Sequence, residues 1–583
     1  LASSVVSPSN VRYAVPRTPL MNLLELSEPN ALASSTASLI ATFGGTTSVF
    51  LRGSKPGHTL IMIDGVEVND PIGADRSFDF AHLTTDNIES IEIIRGPQST
   101  LYGSDAIGGV ISIITKKGQA GQRLEVSIGG GSHNTTKESL GLSGTFRKAD
   151  YSFWLSKSDS SGISKARGGS ERDGYSNATF SSRFGYQLLD NTKLNLILRS
   201  TYADYDIDNG AYDDDPNYTL WSRDIAGKIE LEQAINAWWN HRIAFNYYNL
   251  GRKYRNERDT VHTALSADTQ NWFKGDNKKI EWQNNFNLSD WDTLTAGWEY
   301  EKDRGSSYSR SGATVTKFDR RSLDNYGYYL QNQLKIGKRL FITPGIRVDD
   351  YDIFGKQSTY KVSSSYLFSL TSGRIKANIG TGFKSPSLFQ LYSSFGDPNL
   401  GPDKSLSYDL GLEQGVFDNK LSLGVTYFHN KFENMVDFDS ATSKYKNIGR
   451  AKTNGWEAEF SFKPGENLEL GMNYTYTATE DEQTGKELAR RPKNQASLNI
   501  NWAFIPKADL NLSLAYKGHN WNNAANTQKV EPYARIDLGF TYAFHKNFNF
   551  FTRIENLLDR RYEDVRGFNA MDRSFSAGIK ATF

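Results

Sequence analysis

The chain has 583 residues, enough for several domains, and 67 basic against 66 acidic side chains leave a net charge of +1. With the charges interleaved and no Lys/Arg tract, nothing in that balance suits nucleic acid, and the absence of cysteine excludes disulfides, thiolate metal sites and Cys nucleophiles. Mean hydropathy is −0.56, no run of ~18 apolar residues offers a transmembrane helix, and aromatic residues make up 13%. That combination fits a transmembrane β-barrel, in which only half of each strand's side chains meet lipid and aromatic girdles mark both interfaces. A secreted β-sandwich or propeller is the competing reading of composition alone.

In chain order, residues 1–40 are rich in Ser, Ala and Pro, and Pro16, Pro19 and Pro29 interrupt regular structure around a short helix expected at 21–26. The N-terminus has no charged segment followed by an apolar one, so a signal peptide, if there was one, has been removed. Two short strands are expected at 48–52 and 59–68, the second carrying the Asp64-Gly65 turn, followed by segments at 85–88 and 91–94. Residues 95–115 place Gly96, Pro97, Gly103, Gly108 and Gly109 between aliphatic runs, with a buried strand expected at 110–114.

From Arg123 the period becomes two. Leu468, Leu470, Met472, Tyr474 and Tyr476 alternate with polar or small residues, as do Leu510, Leu512, Leu514 and Tyr516, and Trp456, Ala458, Phe460 and Phe462. Side chains on a strand point alternately to opposite faces, so each such segment has one apolar and one polar face. The segments recur roughly every twenty residues, which predicts about 22 strands. The chain ends on the alternating series Phe575, Ala577, Ile579, Ala581, Phe583, which suits a closing strand that leaves no edge. The fold expected is an all-β transmembrane barrel at 120–583, with an N-terminal mixed α/β plug domain at 1–119 in its lumen.

The segments Phe50-Leu51-Arg52-Gly53, Met62-Ile63-Asp64-Gly65, Ile94-Arg95-Gly96-Pro97 and Leu101-Tyr102-Gly103-Ser104-Asp105-Ala106 resemble the plug of TonB-dependent outer-membrane transporters. Phe383-Lys384-Ser385-Pro386-Ser387, Asp397-Pro398-Asn399-Leu400 and Ile554-Glu555-Asn556-Leu557-Leu558-Asp559 resemble the barrel of the same family, so the likeness spans nearly the whole chain. Within the family, plug wording, size and short loops are most similar to the cobalamin receptors. The resemblance implies a monomeric barrel in the bacterial outer membrane, among its lipids and lipopolysaccharide. It imports a ligand too large for porins, cobalamin or another metal chelate, powered by the TonB complex pulling on the N-terminal segment. A surface lipoprotein is a further partner the family allows. No convincing TonB box precedes Arg17; Ser3-Ser4-Val5-Val6 is a poor candidate. The alternatives are a ferric siderophore or haem receptor, and a plugged barrel that serves as a surface receptor without energised transport. A passive porin is disfavoured because the plug would block the lumen.

No HExxH or GxSxG motif occurs and the eight His show no metal-ligand spacing, so no enzyme is expected. Strand parity turns Asp409 and Glu457 into the lumen, and the resemblance implies that Arg52 and Arg95 of the plug pair with them; solvated lumen carboxylates are the alternative. Asp204, Asp206, Asp208, Asp213 and Asp215 approximate a calcium loop, although Asn209 stands where that loop has Gly. Cobalamin receptors order their loops with calcium held by extracellular aspartates, and Glu171 and Asp173 loosely match a second acidic loop. A solvated acidic loop is the competing reading. Candidate ligand contacts are Ser54 and His58, and Asn69 and Arg76, on two plug loops expected to face outward. Tyr212, Tyr392 and Phe395 offer rings for stacking on a ligand, or else pack within girdle and loops.

Overall fold

A computed structural model describes residues 38–40, 46–258, 267–368 and 371–583. The helix expected at 21–26 and the segment Ser3-Ser4-Val5-Val6 lie outside the described residues. Among those described, 22 antiparallel strands close into one barrel. Closure joins the first barrel strand, Gln122–Gly131, to the last, Ser574–Thr582, with Ile128 opposite Ile579. The terminal Phe583 exchanges backbone hydrogen bonds with Leu124 at 2.9 and 3.0 Å, so no ladder edge is left in the hydrocarbon.

The alternation runs as the sequence predicts. On the strand Asp403–Val416, Leu406, Tyr408, Leu410 and Leu412 are exposed on the outer face while Ser405 and Ser407 are buried inside. Connections at one end of the barrel are tight, as at 190–191, 290–291 and 466–467; at the other end they are long, as at 161–174, 385–402 and 556–573. Short turns mark the periplasmic rim and long loops the extracellular one. Trp238, Trp291, Trp502 and Phe544 stand exposed beside the short turns and form the inner girdle.

The plug fills the lumen. Among the described residues its strands are β1 (Ser38–Ile40), β2 (Ser48–Phe50), β3 (Thr59–Ile63), β4 (Val66–Glu67), β5 (Ile88–Arg95) and β6 (Gly109–Thr115), with a short α-helix, α1 (Ser99–Tyr102), and 3-10 turns at Pro56–His58 and Phe80–His82. β4, β3, β6 and β5 form one mixed sheet, in which β3 and β6 run parallel, and β1 pairs with β2. The strand expected at 48–52 stops at Phe50, because Arg52 and Gly53 turn left-handed with φ of 48° and 78°. Of the segments expected at 85–88 and 91–94, the second lies within the strand β5, while the first is a turn that reaches β5 only at Ile88, with a register shift between Ile88 and Ser90. The sheet's apolar face, including Ile61, Ile63, Ile111 and Ile113, packs directly on Ala226, Tyr248 and Leu250 of the barrel wall. The last plug strand ends at Thr115 and the barrel begins at Gln122, so the expected boundary falls within the connection 116–121.

The glycine-rich stretch explains itself in the packing. Gly103, at φ 77°, closes α1, and a Cβ there would stand 2.9 Å from Nη2 of Arg347, a barrel side chain that is wholly buried. Arg347 cannot retreat, because it is held by Asp349 at 2.8 Å and by Glu299 at 2.6 Å. Gly103→Ala is therefore expected to destabilise the plug by about 1–3 kcal/mol, combining left-handed strain with overpacking. Hydrogen exchange should show faster exchange across α1 and β6 with the barrel strands unchanged.

Candidate functional site

The plug is held to the barrel by arginines that reach across to inward carboxylates. The left-handed turn at Arg52 aims its guanidinium at the wall, where Nε and Nη2 donate to Glu457 Oε1 and Oε2 at 3.1 and 2.9 Å. Its Nη1 donates to Asp409 Oδ2 at 3.1 Å, and its guanidinium carbon lies 4.9 Å from the centre of the Phe428 ring. Arg95, at the end of β5, sits 3.6 Å from the same Glu457 and donates to Glu459 Oε1 at 3.3 Å. Parity explains the carboxylates: Trp456 and Phe460 face lipid, so Glu457 and Glu459 between and beside them face the lumen. The structure thus brings Arg52, Arg95, Asp409 and Glu457 together. It adds Glu459, which the same parity would have found, and Asn378, which donates to Asp409 Oδ1 at 2.7 Å.

Four residues expected on outward plug loops lie instead in the interior. Arg76 is buried, donating to Asp105 at 2.8 Å within the plug and to the barrel's Asp303 at 2.7 Å, which makes a second cross-link rather than a ligand contact. Asn69 is buried beneath it, accepting from the Ile61 N–H at 2.7 Å and donating to Thr59 and Arg76 carbonyls at 3.0 Å; it staples the loop 68–76 to β3. His58 is 1% exposed, stacks on Phe432 at 5.2 Å and meets Asp403 at 2.9 Å. Burial pushes its imidazole below the ordinary range despite that carboxylate, so the neutral ring with Nε2 donating is the form held at neutral pH. Ser54 is buried where Gly108 passes close by, and its carbonyl accepts from Arg491 Nη2 at 3.3 Å. For Arg76, His58 and Ser54 the cause is the same, a plug loop that presses sideways on the barrel wall, whereas Asn69 is buried by bonds within the plug itself.

The extracellular loops hold the second feature. Glu171, Asp173 and Asp208 bring one carboxylate oxygen each to within 4.8 Å of one another. Asp173 Oδ2 accepts from the Lys165 N–H at 2.6 Å, and Asp208 Oδ1 from the Asp215 N–H at 2.8 Å, which fixes both residues. Both oxygens of Glu171 and Oδ1 of Asp173 are buried without a hydrogen-bond partner. Burial and the crowding of the Asp214 and Asp208 carboxylates push the Glu171 carboxyl up to about 9, and burial with Asp208 pushes Asp173 up to about 6. Asp214, held by Ser164 Oγ at 2.8 Å and the Ser170 N–H at 2.9 Å, completes the group and was not among the expected ligands.

This is not the calcium loop read from consecutive positions. Asp204 and Asp206 still belong to the strand Thr192–Asp206, so their shared parity turns Asp204 to the exposed outer face, and Asp206 bonds the Gly174 N–H at 3.0 Å on the cluster's edge. Asp213 is occupied by Asn209 at 2.8 Å, and Asp215 turns to Asn256 at 2.7 Å with its other oxygen unpartnered. The cluster is drawn from two loops, 161–174 and 207–218, rather than from one.

The three candidate aromatics do not form one platform. Tyr212 is exposed at φ 63° against Gly567, whereas Tyr392 ends α2 (Leu388–Tyr392), 5.2 Å below Arg321, and Phe395 packs edge-on to Phe438 at 5.9 Å. Between the plug loop 70–79 and the wall lies a cavity of about 310 Å³, lined among others by Tyr205, Tyr254, Phe273 and Phe389. That is the lower end for a drug-sized ligand, so a larger one must sit above it at the mouth.

Residues 130–557 match the family described as TonB dependent receptor-like, beta-barrel, and residues 21–110 match the TonB-dependent Receptor Plug Domain. A vitamin B12 transporter of Photobacterium profundum is 29% identical over 556 residues, covering 92% of this chain and 86% of its own. The ferric enterobactin receptor of Pseudomonas aeruginosa superposes with a TM-score of 0.80 at 18% identity, covering 97% and 96% of the two chains. A siderophore receptor of Acinetobacter baumannii does so at 0.80, 17% identity, and 96% and 97% coverage. A copper transporter reaches 0.80 at 14% identity and 94% coverage of each chain. The chain belongs to the TonB-dependent receptor family: it is a bacterial outer-membrane transporter, not an enzyme, that actively imports a large ligand through a plugged 22-strand barrel.

Proposed function

We propose that the imported ligand is cobalamin or a related corrinoid, bound at the extracellular mouth, with calcium tying loop 161–174 to loop 207–218. The acidic cluster carries this reading. Its donors are all carboxylates, as a hard cation requires, and three of their buried oxygens lack any partner. Glu171, Asp173 and Asp208 would hold the ion, which would neutralise their mutual repulsion and fix the loops over the ligand. The full-length likeness to a vitamin B12 transporter supports the same class.

A ferric siderophore is the second reading, and the comparisons of fold favour it, since the similar solved structures are receptors for ferric enterobactin and other siderophores. At 14–18% identity they speak for the shared barrel more than for the cargo. Without calcium, a polyanionic chelate approaching this mouth would meet the carboxylates of Asp208 and Asp214.

The deciding experiment is binding to purified protein of cyanocobalamin and of a panel of ferric siderophores and haem, each with calcium and with chelator. The expected result is corrinoid binding that weakens at least tenfold in chelator, with no saturable siderophore signal. Saturable siderophore binding without a corrinoid signal would establish the second reading.

A further inference from the structure

Three neighbouring strands, Thr192–Asp206, Thr219–Ala234 and Trp239–Asn256, build the wall behind the cavity beside plug loop 70–79. Leu198, Tyr202, Ile229 and Phe245 are exposed on the outer face, so alternation fixes which side chains enter the lumen. The register sets these in rows. Tyr205, Leu220 and Tyr254 form the row nearest the mouth, with Ala203, Ser222 and Arg252 below it. Thr201, Asp224 and Leu250 come next, and Arg199, Ala226 and Tyr248 form the foot. Rings stand above and below while Ala203, Ser222 and Thr201 are small, which hollows the wall and leaves Asp224 in the middle of the recess. Arg252 turns aside to Asp70 of the plug at 2.5 Å. Phe78, Asp79 and His82 of the plug close the space from the lumen side, and Phe273 with Phe389, 6.0 Å apart, roof it.

The lining is short of positive charge. Asp70, Asp75, Asp79 and Asp224 face two guanidiniums, Arg199 and Arg252, and Arg252 is engaged by Asp70. Among the described residues no Lys or Arg makes an ion pair with Asp75, Asp79 or Asp224. Asp79 accepts the Thr47 and Ala81 N–H groups at 2.9 and 3.0 Å through one oxygen, and its other oxygen faces His82 Nε2 at 3.7 Å. Burial pushes the His82 imidazole below its ordinary range, so the ring is neutral at pH 7 and leaves the Asp79 charge uncancelled. Asp75 bonds Ser77 through one oxygen alone. Arg199, at the foot, donates to Thr84 Oγ1 at 3.4 Å. Tyr205 and Tyr248, 4% and 3% exposed, line the same space, and their hydroxyls have no hydrogen-bond partner among the described residues.

We propose that this cavity is a second binding site, separate from the mouth, for a compact organic cation: a primary ammonium on a single-ring body, its charge on Asp224. An ammonium has three donors and no acceptor, and the recess offers it the Asp224 carboxylate and the oxygens of Ser222 and Thr201 beside it. The net negative lining selects a cation over an anion, and a charged donor also distinguishes it from a neutral molecule of the same shape. Tyr205, Tyr248 and Phe389 supply ring faces, which attract a cation in a space shielded from water. The volume of about 310 Å³ admits a single-ring amine and excludes a ligand too large for porins, so the site does not depend on which large ligand is imported. A cation seated between wall and plug also bridges Asp224 to Asp79 and holds the loop 70–79 and the turn after it in place.

The test uses the full-length protein in detergent at pH 7. Para-fluorobenzylamine, para-fluorobenzyl alcohol and para-fluorobenzoate are titrated and read by fluorine NMR. The amine is expected to saturate with a dissociation constant on the order of 1 mM, and the alcohol and the benzoate are expected not to saturate. Asp224→Asn should weaken the amine at least about 10-fold by removing the charge, and Ser222→Leu should do the same by filling the recess. Glu433→Gln, on an exposed carboxylate of the rim, should bind as the parent does. At ten times the dissociation constant the amine should slow hydrogen exchange over residues 70–82 roughly 10-fold in the parent and not in Asp224→Asn. Migration of unheated samples on gels checks that the barrel is closed. Should Asp224→Asn fail to fold, Asp79→Asn in the plug keeps the bonds from Thr47 and Ala81 and is expected to weaken the amine about 5-fold. Equal amine affinity in the parent and the folded variants would overturn the site. So would the absence of saturable amine binding, or alcohol or benzoate binding as tightly as the amine.

Discussion

Glu457→Ala is expected to loosen the plug while leaving the barrel closed. Glu457 is 2% exposed and receives two hydrogen bonds from Arg52, with Arg95 at 3.6 Å. Removing it strands two guanidinium groups in a dry interface, and breaking a buried pair in this way typically costs about 3–5 kcal/mol. Asp409 and Glu459 remain, at 3.1 and 3.3 Å, and absorb part of that loss. The double replacement Arg52→Met/Glu457→Leu removes both charges of the main pair together and is expected to be milder than Glu457→Ala alone, with Asp409 keeping the hydrogen bond from Asn378 at 2.7 Å and Arg95 keeping Glu459. The barrel is indifferent to either change, since its ladder is closed by its own backbone hydrogen bonds. Hydrogen exchange over residues 48–115 and single-channel conductance in planar bilayers measure the outcome. Unchanged plug exchange in Glu457→Ala would remove the lock from the account.

The same numbers explain how a plug can be firm and yet releasable. At ~3 Å an ion pair is worth roughly 5 kcal/mol at an effective dielectric of 20 but only about 1 kcal/mol in water. A pull that admits water to the interface therefore dissolves most of the lock at once, and both charged partners are rehydrated rather than stranded. Arg76, bridging Asp105 and Asp303, places a second such lock farther round the lumen.

The barrel was legible because its physics is periodic. One face of each strand meets lipid and the other the lumen, so the alternation gave the strands, a count of about 22 that matches the structure, and the inward direction of Asp409 and Glu457. Glu459, which the sequence reading did not single out, follows the same parity. The plug loops obey no such rule. Nothing in the sequence around His58 or Arg76 says that Asp403 or Asp303 stands opposite, because that pairing is fixed by how a whole domain seats in a lumen. The acidic site was half legible for a related reason. Spacing within one loop suggested Asp204 and Asp206, but Asp204 is a strand residue on the exposed outer face, and Asp206 ends that strand with its carboxylate on the Gly174 N–H. The oxygens that converge come from Glu171 and Asp173 on one loop and Asp208 on another, and only the tertiary fold juxtaposes them.

Calcium is expected to invert the effect of neutralising that cluster. In chelator, Asp173→Asn/Asp208→Asn should melt at or above the temperature of the parent, because two of the carboxylates crowded within 4.8 Å no longer repel. In saturating calcium the order reverses: the parent gains about 2.7 kcal/mol at a hundred times the dissociation constant, and the variant gains nothing. The pH dependence follows from the raised carboxyls. With Glu171 pushed up to about 9 and Asp173 to about 6, the calcium-free loops are most stable where both are protonated, below the ordinary carboxylate range, and lose that stability as pH rises through about 6 and then about 9. A bound ion takes the place of those protons, so calcium affinity should climb across the same window, with protons released on binding at pH 7. Calorimetry in buffers of different ionisation enthalpy reads that release directly. A calcium response that survives Asp173→Asn/Asp208→Asn, or an affinity that does not move between pH 6 and pH 9, would place any ion elsewhere and leave the cluster as a purely structural knot between the two loops.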